Sequence, residues 1–137
     1  MKKISSKKNY TFTVGRRKSS SARVRLFKGI GENLINGEKV SSIYQNKISE
    51  LSLNKPFKVT DTLGKFYFTA NVTGGGKEGQ LEAIVHGISR ALVKLDSEKF
   101  RIPLKVNNLL TRDSRVRLRR MVGTGGKARR KKQSPKR

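Results

Sequence analysis

Apolar and polar residues alternate along the first half of the chain. From Tyr10 to Val14 aromatic and β-branched residues alternate with Thr, and between Ala22 and Phe27 the apolar Val24 and Leu26 alternate with Arg23 and Arg25. A period of two sends successive side chains to opposite faces, so both stretches are expected as half-buried strands. Asn33-Leu-Ile-Asn-Gly37 supplies a third, short strand ending in Asn-Gly, a pair that tolerates the positive φ of a tight hairpin turn. A short helical stretch is expected around Val40 to Leu53. Phe57–Thr60 and Lys65–Thr73 are expected as two more strands, separated by an Asp-Thr-Leu-Gly loop.

Beyond Gly74-Gly75-Gly76 the period changes. Apolar residues fall at Leu81, Ile84, Val85, Ile88, Leu92 and Leu95, which predicts an amphipathic helix of about four turns. Ser97 to Leu110 keeps helical spacing, but Pro103 interrupts it and leaves helix and loop both open. Strands followed by one strong helix give the α+β class, with the helix laid across one face of a mostly antiparallel sheet. The uninterrupted apolar stretches are a few residues long, against the ~20 that span a bilayer, so a membrane-spanning protein is not expected.

Charge changes the picture. The chain has 137 residues, one domain's worth, with 33 Lys or Arg against 9 Asp or Glu, a net charge of +24. The excess sits at the ends: +10 over residues 1–28, +3 over 29–110 and +11 over 111–137. This is the layout of a basic N-terminal extension (1–9), a nearly balanced globular domain (10–110) and a basic C-terminal tail (111–137). Arg129–Arg137 contains no apolar residue and cannot pack a core of its own. The N-terminal Met-Lys-Lys-Ile-Ser-Ser-Lys-Lys superficially resembles a transit peptide, but it lacks Arg and runs into strand-like sequence by Tyr10, leaving no room for a removable leader. A polyanion is the expected partner, since so much like charge repels itself in a compact state. With no Cys, thiolate nucleophiles and Cys-ligated metals are excluded, and one His leaves little imidazole chemistry. No cofactor is expected.

Three stretches carry candidate chemistry. Gly15-Arg-Arg-Lys-Ser-Ser-Ser-Ala-Arg-Val24 offers Arg16, Arg17, Lys18 and Arg23 as cations for phosphate oxygens and Ser19 and Ser20 as neutral donors, with Gly15 allowing a tight turn or a close approach of the backbone to a ligand. The alternatives are a solvated basic loop or a phosphosite. Gly74-Gly-Gly-Lys-Glu-Gly79 precedes a helix whose free amides attract anions. It lacks the Gly-Lys-Ser/Thr of a nucleotide-hydrolysing loop, so it is expected as a connector or as a loop bringing Gly74, Gly75, Gly76 and Lys77 close to an RNA phosphate. His86 and Arg90, four apart on the polar side of the helix, could meet each other or one phosphate. Glu78 and Glu82 beside Lys77 are expected as a solvated helix start, and no paired-carboxylate site stands out.

Taken together, these segments resemble the small-subunit ribosomal protein S nine family. The likeness is carried by Gly15–Val24, by Val72-Thr-Gly-Gly-Gly-Lys-Glu-Gly-Gln80 running into Ala83-Ile-Val-His-Gly-Ile-Ser-Arg-Ala-Leu92, and by Leu110-Thr-Arg-Asp-Ser-Arg115 with a Lys-Ala-Arg-Arg-Lys-Lys tail ending in Lys136-Arg137. The chain departs from the family at Leu118-Arg-Arg-Met-Val-Gly123, where Glu-Arg-Lys-Lys-Xaa-Gly is usual, and at Gln133-Ser-Pro-Lys-Arg137, where Gln-Phe-Ser-Lys-Arg is usual.

The resemblance implies a ribosomal-S5-domain-2-like domain in the head of the small subunit, beside neighbouring proteins of the head. It implies rRNA contacts by the loop residues above and by Gln80, His86, Arg90, Arg112, Arg115, Arg117, Arg119, Arg120, Lys127, Arg129, Arg130, Lys131 and Lys132. Lys136 and Arg137 would reach the anticodon stem-loop of the tRNA in the peptidyl site. The absent leader, a Lys/Asn/Ile-rich composition and bacterial-type motifs suggest a plastid stroma, with a bacterial cytoplasm as the alternative. Competing readings are a small DNA-binding or chromatin-like protein, which should show a base-reading helix, and an enzyme on a phosphorylated substrate, for which nucleophile, base and metal set are missing. No small-molecule substrate is expected.

Overall fold

A computed structural model describes residues 9–122. The expected first two strands are longer than their apolar alternation and form a hairpin, β1 (Tyr10–Arg17) and β2 (Ser20–Lys28). Pairing continues through Gly15↔Ala22 and Arg16↔Ser21 to Arg17↔Ser20, so only Lys18 and Ser19 turn, Lys18 with φ of +50°. What composition marks as a basic loop is largely paired strand, because the ladder needs only backbone groups and tolerates polar side chains on an open face.

The expected Asn-Gly hairpin is present between β3 (Leu34–Ile35) and β4 (Glu38–Lys39), with Asn36 and Gly37 at φ of +52° and +89°. The Asn36 side chain mimics a strand: its Nδ2 donates to the Val72 carbonyl at 3.1 Å and its Oδ1 accepts from the Val72 N–H at 2.8 Å. The one-turn α1 (Val40–Ile43) leads to α2 (Lys47–Val59), which Asn46 caps by accepting from the Ile48 N–H. The strand expected at Phe57–Thr60 is a correction: Phe57 to Val59 are the last turn of α2, and Thr60 is its C-cap. Ser49, Leu53, Pro56 and Phe57 share a buried helical stripe, and tertiary burial of that stripe overrides the β preference of Phe-Lys-Val-Thr and the break that Pro56 suggests.

Strand β5 (Phe66–Thr73) follows, and the sheet order is β1-β2-β5-β3-β4. All pairs are antiparallel except β3 with β5, so the α+β class and the mostly antiparallel sheet are as expected. The expected long helix is α3 (Lys77–Leu95). The open question at Pro103 resolves as a helix, α4 (Ser97–Val106), capped by Asp96 accepting from the Lys99 N–H. Residues 111–122 form neither helix nor strand.

One face of the sheet carries the core. Ala22, Val24, Leu26, Phe68, Ala70 and Val72 meet Leu81, Ile84, Ile88 and Leu92 of α3, with Leu53, Phe57 and Leu104 closing the sides. Each fully buried Leu, Ile or Phe contributes about 1.5–3 kcal/mol. The tightest contact has no side chain. A Cβ at Gly15 would lie 1.9 Å from the Ala83 carbonyl oxygen and 2.4 Å from the Gly87 nitrogen, so β1 rests directly on the α3 backbone. A Cβ at Gly87 would in turn lie 2.6 Å from the Val24 side chain of β2 and 3.4 Å from the Gly15 nitrogen. Substituting Gly15→Ala should therefore cost at least about 2 kcal/mol, since the obstruction is backbone on a helix that cannot rotate away. Urea unfolding of the full chain measures it.

Candidate nucleic-acid interface

The free edge of β1 is occupied by side chains of α3. The Arg16 N–H donates to His86 Nδ1 at 3.3 Å, Arg90 Nη1 donates to the Val14 carbonyl, and Lys94 Nζ donates to the Phe12 carbonyl at 3.2 Å. Four helical residues rise about 6 Å and two strand residues about 6.8 Å, so positions 86, 90 and 94 keep step with 16, 14 and 12. Thr13 adds a donated bond to the Gly87 carbonyl at 2.8 Å. The helix thus answers outward-facing backbone groups that an edge strand leaves open.

His86 is engaged at both nitrogens. Because Nδ1 accepts, the proton sits on Nε2, which donates to the Leu110 carbonyl at 3.2 Å. Half-burial, with the nearby Arg90 and Arg112 charges, pushes its pKa below the ordinary 6.5 despite the opposing Leu110 bond. His86 therefore joins α3, β1 and the segment after α4.

Arg17 is a second internal anchor. Its side chain is 10% exposed and pairs with Glu82 through Nε, with Asp113 Oδ2 through Nη2 at 3.2 Å, and with the Arg115 carbonyl through Nη1 at 2.8 Å. Arg115 folds back on Asp113, Nη2 to Oδ2 at 2.7 Å, and these hydrogen bonds hold the Asp113 carboxyl well below the usual carboxylate range. Glu82, which local spacing assigns to a solvated helix start, is instead Arg17's partner. The pairing joins positions 65 and 96 residues apart, and no local pattern signals it.

The β1–β2 turn and the glycine run meet. Lys18, Ser19 and Ser20 line one side of a cleft and Gly75, Gly76, Lys77, Glu78 and Gly79 the other, at the start of α3, so two lysines share it with one carboxylate. Ser20 Oγ donates to the Gly74 carbonyl at 3.0 Å, as does Gln80 Nε2 at 3.2 Å. Gly74 and Gly75 have φ of +75° and +68°, and a Cβ on Gly75 would strike Ser20 Oγ at 2.1 Å, so the run is demanded both by conformation and by the turn packed on it. Gly76 caps α3 without a side chain, so the first helical amides have no capping oxygen.

Of the other sequence-predicted residues, Arg16, Arg23, Arg112, Arg117, Arg119 and Arg120 have exposed side chains, as do Lys18, Lys77, Arg90 and Arg115. Lys127, Arg129, Arg130, Lys131, Lys132, Lys136 and Arg137 lie outside the described residues. Two residues that motif reading passed over, Phe12 and Arg25, are exposed on the sheet face away from the helices. Their signal was present in the strand alternation, which puts both on the face opposite Val24 and Leu26. Among the described residues no group of His, Asp and Glu could hold a metal ion, and no helix is long and apolar enough to cross a membrane.

A small α+β scaffold ties some of its cations to its own backbone and carboxylates and turns others outward at the β1–β2 turn, at the start of α3 and between Arg112 and Arg120, which is a surface suited to a polyanion. The chain belongs to the Ribosomal protein S9/S16 family, whose model matches residues 15–137. It is 43% identical over 119 residues to the Small ribosomal subunit protein uS9 of the bacterium Maridesulfovibrio salexigens, a match covering 87% of this chain and 91% of that one. It is accordingly a structural ribosomal protein acting in translation, a class distinct from enzymes.

The two anchors predict different outcomes from the exposed cations. Arg17→Ala should cost roughly 2 kcal/mol, less than the 3–5 for a fully buried pair because the Glu82 side chain is half exposed. Arg16→Ala should stay within about 0.5 kcal/mol, since its exposed side chain makes no hydrogen bond or ion pair among the described residues. Equilibrium urea curves of the two variants separate them. His86 predicts a pH dependence: its folded pKa is depressed, so its contribution is complete above the unfolded value of 6.5 and declines as pH falls from there through the folded pKa. Stability measured from pH 8 to 5 should fall at the acid end, and His86→Gln should flatten that fall.

Proposed function

We propose that the chain is a structural constituent of the small ribosomal subunit, binding rRNA in the subunit head and contacting the peptidyl-site tRNA through Lys136 and Arg137. The observation that carries the rRNA reading is the meeting of the Lys18-Ser19 turn with Gly75, Gly76 and Lys77 at the uncapped start of α3. Two lysines, the Ser19 hydroxyl and free amides converge there as donors to phosphate oxygens, and the two cations outweigh the one carboxylate of the lining, Glu78. Gln80 and Ser20 hold that loop in place, so they act by positioning. His86, Arg90 and Arg17 act in the same way, fixing the edge strand and the start of the 111–137 tail. Arg16, Arg23, Arg112, Arg117, Arg119 and Arg120 present their charges outward, Arg115 is exposed but shares its charge with Asp113, and Lys127, Arg129, Arg130, Lys131 and Lys132 extend the same basic run in the sequence. Lys136 and Arg137 would position the anticodon stem-loop without reading it, because charges on phosphates carry no base identity.

The domain is proposed to be of the ribosomal-S5-domain-2-like kind, with neighbouring proteins of the head as further partners. Its ribosome would be that of a plastid stroma or of a bacterial cytoplasm, and the bacterial relative favours the second. The DNA-binding reading is weakened by α3 itself: the polar side chains of its best face, His86, Arg90 and Lys94, are turned onto β1, leaving no recognition helix there.

Salt titration tests the proposal. Affinity of the chain for an rRNA head fragment should fall with salt at a slope on the order of −0.7 to −0.9 per phosphate neutralised. Replacing Arg16, Lys18 and Lys77 together by Ala should lower the slope by roughly 2 without unfolding, and removing residues 124–137 should lower it by several units more. An unchanged slope in both variants would count against these cations as phosphate ligands. Arg17 is left out of the set because its loss should unsettle the fold.

A further inference from the structure

Register and burial divide β1, β2 and β5 into two faces. The helix-covered face holds Ala22, Val24 and Leu26, and the other face is covered by no described element. On that face the register makes rows: Tyr10–Phe27–Tyr67, then Phe12–Arg25–Thr69, then Val14–Arg23–Asn71, then Arg16–Ser21–Thr73; the first row is covered at one end, where Gly31 lies against the Tyr67 ring, and the rows from Phe12 onward are open among the described residues. The first row is an aromatic ladder. Phe27 and Tyr67 stack at 4.9 Å between centroids and 9° between planes, and Tyr10 tilts onto Phe27 at 5.5 Å. Arg25 lies 5.5 Å from the Tyr10 ring centroid, over its face. Phe12, 43% exposed, stands beside this row and stacks on no other ring of the described residues.

Charge narrows the occupant. The three strands contain no Asp or Glu, while Arg23 and Arg25 are exposed on this face and take part in no ion pair among the described residues. An acid-free cationic face with a solvent-facing ring suits a ligand that is both anionic and aromatic. A duplex satisfies only the first condition, because its bases are stacked on one another. We propose that the open sheet face binds unpaired RNA, a base stacking on the Phe12 ring and the adjoining phosphates meeting Arg23 and Arg25. The Tyr10–Phe27–Tyr67 ladder, its faces already engaged, is the rigid wall that holds Arg25 in place. This is a surface separate from the α3 cleft, and it rests on the reading of the partner as RNA. Sheet aromatics of this sort discriminate single strands by stacking, which every base can supply.

The experiment compares the full chain's affinity for a non-pairing 12-nucleotide RNA and for a duplex of equal length, by fluorescence anisotropy at fixed salt. Phe12→Ala should weaken the single strand about fivefold or more and leave the duplex unchanged. Phe12→Leu, which keeps an apolar strand residue, should lose the same preference, and Phe12→Tyr should restore it. Arg23→Gln with Arg25→Gln should weaken binding and reduce the salt slope by roughly 1.5. Wild-type single-strand affinity in both Phe12→Ala and Phe12→Leu overturns the proposal, as does an equal loss of duplex. If the Phe12 effect disappears when residues 1–8 are removed, that segment is the occupant and the proposal falls. Loss of binding in a variant with only Lys18→Ala and Lys77→Ala, the two cations of the α3 cleft, without any Phe12 effect refutes this face alone, whereas a wild-type chain that binds neither RNA refutes the RNA reading itself.

Discussion

The fold turns on two missing side chains. Gly15 in the middle of β1 and Gly87 in the middle of α3 let strand and helix approach backbone to backbone, with a hypothetical Gly15 Cβ only 1.9 Å from a helical carbonyl oxygen. That approach brings the short His86 ring within reach of the Arg16 amide, and the longer Arg90 and Lys94 side chains continue the same row along the Val14 and Phe12 carbonyls. The resulting ladder is what keeps β1 from offering itself to another chain. A glycine costs conformational entropy in either element, and here the cost is offset by contacts that no larger residue could permit.

From that contact the basic groups divide into two kinds. Some act inward. Arg17 descends from β1 to Glu82 on α3 and then to Asp113 and the Arg115 carbonyl, so one guanidinium spans hairpin, helix and the segment after α4. His86 does the same through Arg16 and Leu110. Others point away from the core, at the Lys18 turn, at Lys77 and on the sheet face. The rigidity of the inward set is what fixes the positions of the outward set. Phosphate contacts give orientation only if the cations that make them are themselves held in place.

Two surfaces follow, with different chemistry. The cleft between the Lys18 turn and the glycine run offers amides, hydroxyls and two lysines against one carboxylate, Glu78, a balance that suits phosphate oxygens of any nucleic acid. The open sheet face offers one free ring among arginines, which suits an unpaired base. An RNA that folds with both helical and looped parts could engage the two at once, and a protein with both would favour such folded RNA over a plain duplex.

Much of this was legible in the sequence. Period-two alternation gave β1, β2 and β5, Asn36-Gly37 gave the small hairpin, and three-four spacing from Leu81 gave α3, because these depend on local geometry and on which face is buried. The net charge of +24 and the family motifs gave the class of protein and its polyanionic partner. Tertiary structure alone decided that Phe57 to Val59 finish a helix, since the burial of Ser49, Leu53, Pro56 and Phe57 on one stripe outweighs local β preference. It alone decided that Gly15 serves the approach of α3, and that Arg17, His86 and Arg90 face their own chain. A basic side chain looks the same in sequence whether it meets solvent, a phosphate or a carboxylate 65 residues away. Its partner is chosen by the packing of elements distant along the chain, and that information resides in the folded arrangement.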